Sequence, residues 1–365
     1  MAKRVLITGG AGFIGCHLCT ALLAQSWRVR VLDRLLEQVH GGRPINPILR
    51  DTEFIAGDVR DAEVVKRAVR GMDAVVHLAA EVGVGQSMYE IDRYVSTNDQ
   101  GTAVLLQALL SQPVRRLVVA SSMSIYGEGL YRTAAGGLVE NAVRGVAGWD
   151  PCDSDGVPLI PVATPETKQP SLASVYAISK FVQERLVLTV AAAYGMEGVA
   201  LRLFNVFGPG QALSNPYTGV LAIFASALLN GRSPLVFEDG QQRRDFVHVE
   251  DVAHAFALAL ECPGIAGRVF NIGSNESVSI LEVAEMLGSA MGRTDLAPQI
   301  LGKARAGDIR HCFADITCAR RELGYQPRRS LRTSLTELAN WVRRQQATDR
   351  AAEAQRELEA RGLVA

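Results

Sequence analysis

The chain has 365 residues, 48% hydrophobic and 21% charged, with 38 Lys and Arg balanced by 38 Asp and Glu. That is enough apolar material to bury a large core as one bilobal unit or two domains, and a chain without net charge or basic clusters is not expected to bind nucleic acid. No apolar run is long enough to span a bilayer, and Met1 to Gly9 reads as a strand entering a glycine loop rather than as a signal peptide, so a cytoplasmic protein without membrane contact is expected.

Val5-Leu6-Ile7-Thr8 is a continuous apolar run, hence a buried parallel strand, and it leads into Gly9-Gly10-Ala11-Gly12-Phe13-Ile14-Gly15 and a helical pattern through Ala24. Gly9, Gly12 and Gly15 let the backbone turn tightly and approach a pyrophosphate at the positive end of the helix, with Phe13 and Ile14 in the same cofactor loop. Cys16 and Cys19 fall inside that helix without a second pair to complete a zinc site, so they read as packing and no metal is expected. The next strand ends at Asp33, placed to take the adenosine ribose hydroxyls, which favours NAD over NADP; Arg34 directly after it works against that preference.

Strands at Glu53-Phe54-Ile55-Ala56, Ala74-Val75-Val76-His77-Leu78 and Arg116-Leu117-Val118-Val119-Ala120 continue the rhythm of a doubly wound sheet. Their carboxyl ends carry Asp58 and Val59, expected beside the adenine, and Leu78, Ala79 and Ala80, whose backbone can lie flat against a cofactor. His77 reads as a packed histidine. Further on, Tyr176 and Lys180 are four apart on a predicted helix, which sets a phenol beside an ammonium. A nearby cation favours phenolate, so the tyrosine's pKa is expected to fall from about 10 toward a value suited to taking a hydroxyl proton.

Taken together, Thr8 to Gly15, Asp58, Leu78-Ala79-Ala80, Ser121 to Gly127, Tyr176 with Lys180, Arg202 to Pro209 and Arg244 to Val249 resemble the extended short-chain dehydrogenase/reductases that act on nucleotide sugars. The resemblance runs to about residue 342. It implies an α/β fold, a Rossmann-type doubly wound parallel sheet with a smaller C-terminal substrate-binding lobe. The expected division is 1–203 with 247–272 for the NAD-binding domain, 204–246 with 273–342 for the nucleotide-sugar lobe, and 343–365 for a charged tail. It also implies NAD as cofactor, a nucleotide-diphosphate sugar as substrate, and a homodimer through paired helices around Thr102 to Leu110 and Val175 to Ala193.

In that family the hydroxyl residue four before the tyrosine of the Tyr-Gly pair contacts the sugar oxygen, which corresponds to Ser122. Sugar 4,6-dehydratases carry Asp-Glu at the next two positions and UDP-glucuronate decarboxylases keep the glutamate, whereas this chain has Met123 and Ser124, neither of which titrates near neutrality. Oxidation and return at one carbon, epimerisation at C4, is the chemistry then implied, with Tyr176, Lys180 and Ser122 catalytic. Ser122 to Tyr131, Thr164 to Thr167 and Gln211 to Gly219 resemble bacterial dTDP-L-rhamnose 4-epimerases in particular. The resemblance further assigns Ser124, Asn205, Tyr217, Val220, Arg244 and Arg305 to the substrate, with Asn205 and the two arginines on its diphosphate; Arg243 and Arg310 are neighbours that could serve instead.

The insertion 127–167 is expected to cap the sugar pocket. Cys312, small at a position that narrows the pocket in UDP-galactose-type epimerases, suggests tolerance of larger sugars. The tail from Arg343 reads as a solvated helix without function. A dehydratase or decarboxylase using a carboxylate from elsewhere, such as Glu128, a keto-sugar reductase, and an NAD-binding regulator remain as alternatives.

Overall fold

The computed structural model describes residues 2–41, 45–144 and 148–364, so Met1, 42–44, the insertion residues 145–147 and Ala365 of the tail lie outside the described residues. Seven strands form the central sheet: β1 (Arg4–Thr8), β2 (Arg28–Asp33), β3 (Glu53–Ala56), β4 (Ala74–His77), β5 (Arg116–Ser122), β6 (Glu197–Leu203) and β7 (Val269–Ile272). They lie in the order β7-β6-β5-β4-β1-β2-β3, and every pairing is parallel. The order reverses beside β1, and a crevice at the carboxyl ends of the strands opens at such a switch point.

Both sheet faces are covered, which is why the strands read as apolar runs rather than as alternating patterns. On β1, Val5 and Ile7 pack into the core on one face and Leu6 into the core on the other. Helices α1 (Phe13–Ala24) and α6 (Val249–Glu261) pack together in the first core; α2 (Ala62–Val69), α3 (Gly101–Ser111) and α4 (Val175–Ala193) supply the second. Each fully buried Leu or Val side chain contributes about 1.5–3 kcal/mol. Cys16 and Cys19 are buried free thiols, pushed up to about 11 and about 12, foremost by burial, which suits packing.

A third core joins α5 (Val220–Leu229), α7 (Ile280–Ala290) and α8 (Leu331–Val342). The short strands Asn205–Phe207 and Phe246–His248 pair in parallel at its boundary with the large sheet. No helix among the described residues is long and apolar enough to cross a membrane.

Two expectations are corrected here. The described part of the insertion does not cap the cavity, for none of it appears in the cavity wall. It forms small antiparallel ladders, 130–132 with 160–162 and 138–139, and is fastened to Glu238, Asp239 and Arg310 by an ion cluster whose centre is buried. Arg310, fully buried, donates to Asp150 at 2.7 Å, Glu238 at 2.9 Å and Asp239 at 2.6 Å, while Arg144 donates to Glu238 at 2.5 Å. A buried guanidinium is tolerable only with its donors matched in this way. The tail is corrected too: residues Ala351–Ala360 form helix α9, which packs on the body of the protein through Ala354 and Leu358.

Candidate active site

Every cofactor, catalytic and substrate residue singled out from the sequence lines one cavity of about 1510 Å³. That exceeds the usual 300 to 1,000 Å³ or so of a single small-molecule pocket, which leaves room for a dinucleotide and a second nucleotide together.

One end is built by the turn from β1 into α1. Gly9 has φ +70°, and a Cβ there would meet the Ala79 nitrogen at 2.7 Å; a Cβ on Gly15 would meet the Gly10 Cα at 2.5 Å. The glycines are therefore required by a left-handed turn and by close approach of two backbones. Gly9→Val is expected to cost about 1–3 kcal/mol of stability and to leave the purified protein without bound nucleotide, read from its melting temperature and its absorbance ratio at 260 and 280 nm. Undiminished nucleotide in the variant would contradict this account of the turn.

Asp33, at the end of β2, accepts from the Ala11 and Leu35 amides at 3.0 and 2.8 Å, which fixes its carboxylate at the cavity wall. Asp58 also lines the cavity, but its carboxylate is already gripped by Arg60 (2.6 Å) and faces Arg34 (3.3 Å). Although burial pushes its pKa upward, those hydrogen bonds and charges prevail and hold it at about 2. Arg34 also pairs with Glu81, which Arg93 meets from its other side at 2.7 Å. The sequence reading contains neither Glu81 nor Arg93. Arg34 is thus engaged by two carboxylates rather than standing free beside the ribose.

The reacting centre lies where β5 ends and α4 begins. Ser174 caps α4, its hydroxyl accepting from the Ala177 amide at 3.1 Å, and this first turn presents Tyr176. Glu184 of α4 clamps the two neighbouring strands: it accepts from Ser121 at 2.6 Å and from two nitrogens of Arg202 at 3.0 and 2.7 Å, all buried. Satisfied on every side, this network holds Ser122 in register with the tyrosine. The Ser122 and Ser124 hydroxyls lie 2.5 Å apart.

The expected fall of the Tyr176 pKa is not what the protein's own groups produce. Burial pushes it above its ordinary 10, and a hydrogen bond with Ser122 offsets only part of that. Lys180 is itself only 3% exposed and driven down to about 7 by burial, against the opposing charges of Glu184 and Asp99, and it donates to Gln183 at 2.7 Å. Among the protein's own groups, the lysine therefore does not overcome the burial of the phenol.

Gln183, one turn from Lys180 on the same face, continues the chain inward. It donates to Thr102 at 2.9 Å and lies 3.2 Å from His77, whose other ring nitrogen is 2.7 Å from Thr8. Burial and the Lys180 charge drive His77 down to about 3, so the imidazole is a neutral, packed group, as read from the sequence. Because its folded pKa lies below the ordinary 6.5, its contribution to stability is complete above pH 6.5 and is lost as pH falls toward 3, by at most about 1.4 kcal/mol per pH unit. His77→Gln should show a shallower loss of denaturant stability between pH 7 and pH 5 than the parent chain; equal slopes would rule this out.

At the far end Asn205, Tyr217, Val220, Arg244 and Arg305 line the wall. The Asn205 carboxamide oxygen is buried without a partner among the described residues, so a group in the cavity could satisfy it. Arg244 is braced by the carbonyls of Arg243, Ile309 and Arg310, and Arg305 by Asp308 at 2.8 Å while stacking 4.5 Å over Phe237. The rival arginines drop out: Arg310 sits in the insertion's ion cluster, Arg243 bonds Ser277, and neither lines the cavity. Cys312 is also corrected. It is 1% exposed, beside Thr164, and does not line the cavity, so the thiol itself does not meet a sugar.

A model of the NAD dependent epimerase/dehydratase family matches residues 5–273. The chain is 35% identical over 348 residues to the dTDP-L-rhamnose 4-epimerase of Burkholderia thailandensis, covering 93% of this chain and 95% of that one. It is also 31% identical to the dTDP-glucose 4,6-dehydratase of Streptomyces niveus, covering 93% of each. A solved UDP-glucose 4-epimerase of Thermus thermophilus in complex with NAD superposes with a TM-score of 0.75 at 31% identity, over 94% of this chain and 99% of that one. The chain belongs to the NAD-dependent epimerase/dehydratase family of nucleotide-sugar enzymes, and its cofactor is NAD. The glycine turn, the ordered Asp33 and the bare backbone at Ala79 fit that cofactor.

Proposed function

We propose that the protein epimerises C4 of a dTDP- or UDP-linked sugar, dTDP-L-rhamnose-like, through a transient 4-keto sugar. The observation that carries this reading is the wall beside Tyr176: Ser122, Met123 and Ser124 line it, and no carboxylate stands in that segment. Glu128, the carboxylate that a dehydratase or decarboxylase could have borrowed, faces away. It accepts from the Arg310 amide at 2.7 Å and the Tyr131 hydroxyl at 2.8 Å, outside the cavity. Of the carboxylates that do line it, Asp33 is held by backbone amides, Asp58 and Glu81 by arginines and Asp308 by Arg305, while Glu37 begins the short helix that follows β2.

Bound NAD supplies a hydride acceptor that returns what it takes. Tyr176 removes the C4 hydroxyl proton, Ser122 holds the oxygen, and Lys180 with the Gln183 chain sets the protonation of the pair. Asn205, Arg244 and Arg305 anchor the diphosphate while the keto sugar turns over, so that the second face is presented and Tyr176 gives the proton back. Guanidinium forks suit that anchoring.

The deciding experiment incubates the purified protein, without added cofactor, with UDP-, dTDP- and GDP-sugars including dTDP-L-rhamnose, and reads product mass and stereochemistry. An isomer of unchanged mass is expected. Loss of water or carbon dioxide would overturn the reading.

The same reading includes a homodimer through α3 and α4. Ile91, Val95 and Ile178 stand 51%, 43% and 45% exposed near that face, apolar surface that a partner helix pair would bury. Light scattering coupled to gel filtration is expected to give twice the chain mass of 39.3 kDa, and Ile178→Arg should shift it toward one chain. A monomeric parent protein would remove the dimer.

A further inference from the structure

The part of the cavity beside Tyr217 is walled by a segment outside the family match. Ala351, Ala354, Gln355 and Leu358 of α9 line it, and their spacing puts all four on one helix face. Leu358 is 4% exposed; its methyls would lie 3.3 Å from a Cβ on Gly85, across the opening.

Two sets of contacts hold the segment. On one side a Glu357 carboxylate oxygen accepts from the Tyr89 hydroxyl at 3.2 Å and the Tyr217 hydroxyl at 3.1 Å, the two hydroxyls being 2.6 Å apart, and Arg361 stacks 4.3 Å over the Tyr89 ring. On the other, the chain after α9 runs along the loop that carries Arg305. Ala306 donates its amide to the Leu363 carbonyl at 2.8 Å, Arg305 and Val364 form an antiparallel bridge, and Lys303 donates to Glu359 at 2.8 Å.

We propose that residues 351–364 belong to the substrate site, as a strap across its nucleotide end. Gln355 and Leu358 contact the base and ribose of the bound nucleotide, and the strap's far edge seats Arg305 for the diphosphate. The proposal rests on the nucleotide-sugar reading above. A sugar that must turn over during reaction cannot be gripped tightly, so binding energy has to come from the nucleotide, and an apolar leucine beside a carboxamide offers a heterocycle both a flat wall and a hydrogen bond. Glu357 is a positioning residue. Its bonds to two partly exposed phenols are weak enough to let the strap release for exchange.

The test is calorimetric titration of the purified holoprotein with UDP and with dTDP, comparing the full chain, a chain ending at Arg350, Glu357→Ala and Glu357→Gln. The shortened chain is expected to keep its NAD and to melt lower, having lost the buried Leu358 and its neighbours, while its Kd for the nucleotide it binds rises about tenfold, or about 1.4 kcal/mol. Glu357→Ala should fall between, with Glu357→Gln near the parent. An unchanged Kd in the shortened chain overturns the strap and leaves the nucleotide-sugar reading standing. A parent chain that binds neither nucleotide overturns both. Hydrogen exchange on the intact holoprotein decides independently of how the shortened chain folds: dTDP or UDP at saturation should slow the amides of 351–364, and unaltered exchange there overturns the proposal.

Discussion

Tyr176→Phe is expected to lower turnover about 10³-fold while the protein still folds and carries NAD, the loss typical of removing a positioned acid-base group. The substitution deletes one hydroxyl and leaves the ring to pack edge-on against Tyr94, whose centroid is 6.4 Å away. The protein's own environment holds the phenol above its ordinary pKa, chiefly by burial, so stability should change by no more than about 1 kcal/mol, the net worth of the lost hydrogen bond with Ser122. Parent activity should rise with pH above neutrality as the phenolate fraction grows. Assays of the variant beside the parent, with bound NAD measured in both, check this. A variant keeping more than about a tenth of parent turnover would remove Tyr176 from the chemistry.

Lys180→Met is expected to separate activity from stability. Turnover should fall by about 10² to 10⁴, because the tyrosine loses its one neighbouring cation on α4. Stability should not fall with it. The folded pKa of about 7 lies below the ordinary 10.5, so burying this group is costly at pH 7 and becomes less so as pH rises toward 10.5. The parent chain should therefore gain on the variant over that window, by at most about 1.4 kcal/mol per pH unit, while at pH 7 the variant is at least as stable. Denaturant unfolding of both proteins at pH 7, 8.5 and 10 gives the difference directly. A variant several kcal/mol weaker at pH 7 would mean that the bond from Lys180 to Gln183 outweighs the cost of burying the charge.

Asp99 marks a further constraint on this lysine. Its pKa is raised to about 6, foremost by burial, and one of its oxygens is buried without a hydrogen-bond partner among the described residues. It acts on Lys180 through space, as Glu184 does, and both charges oppose the lysine's discharge. Asn98, the residue before it, donates to Ser179 at 2.9 Å and ties the segment 95–100 to the helix that carries the catalytic pair.

Much of this site was legible from local sequence because its chemistry depends on features that are local. A glycine at positive φ, an aspartate ending a strand and a tyrosine four residues before a lysine are each set by backbone geometry over a few positions. The continuous apolar runs of β1, β4 and β5 likewise report strands buried on both faces. The strand β6 was less legible, since Gly198-Val199-Ala200-Leu201 sits in a stretch dominated by the Arg202-Leu203-Phe204-Asn205 motif.

The doubly wound rhythm, the catalytic and cofactor residues that line the cavity and the class of cofactor could be read along the chain, whereas Glu81 and the α9 residues of the wall could not. Which charges remain available in the cavity could not, because that depends on how distant segments pack. Nothing in the spacing of Arg243, Arg244, Arg305 and Arg310 distinguishes those that reach the cavity from the one buried against Asp150, Glu238 and Asp239. Nor does the composition of 343–365 reveal that Leu358 finds Gly85 and that Glu357 finds two phenols more than a hundred residues away. Burial is a property of the assembled fold, and the fold's desolvation is what raises Tyr176, lowers Lys180 and silences His77. Proximity in sequence supplied the pairing of tyrosine with lysine; the low dielectric around them set its direction.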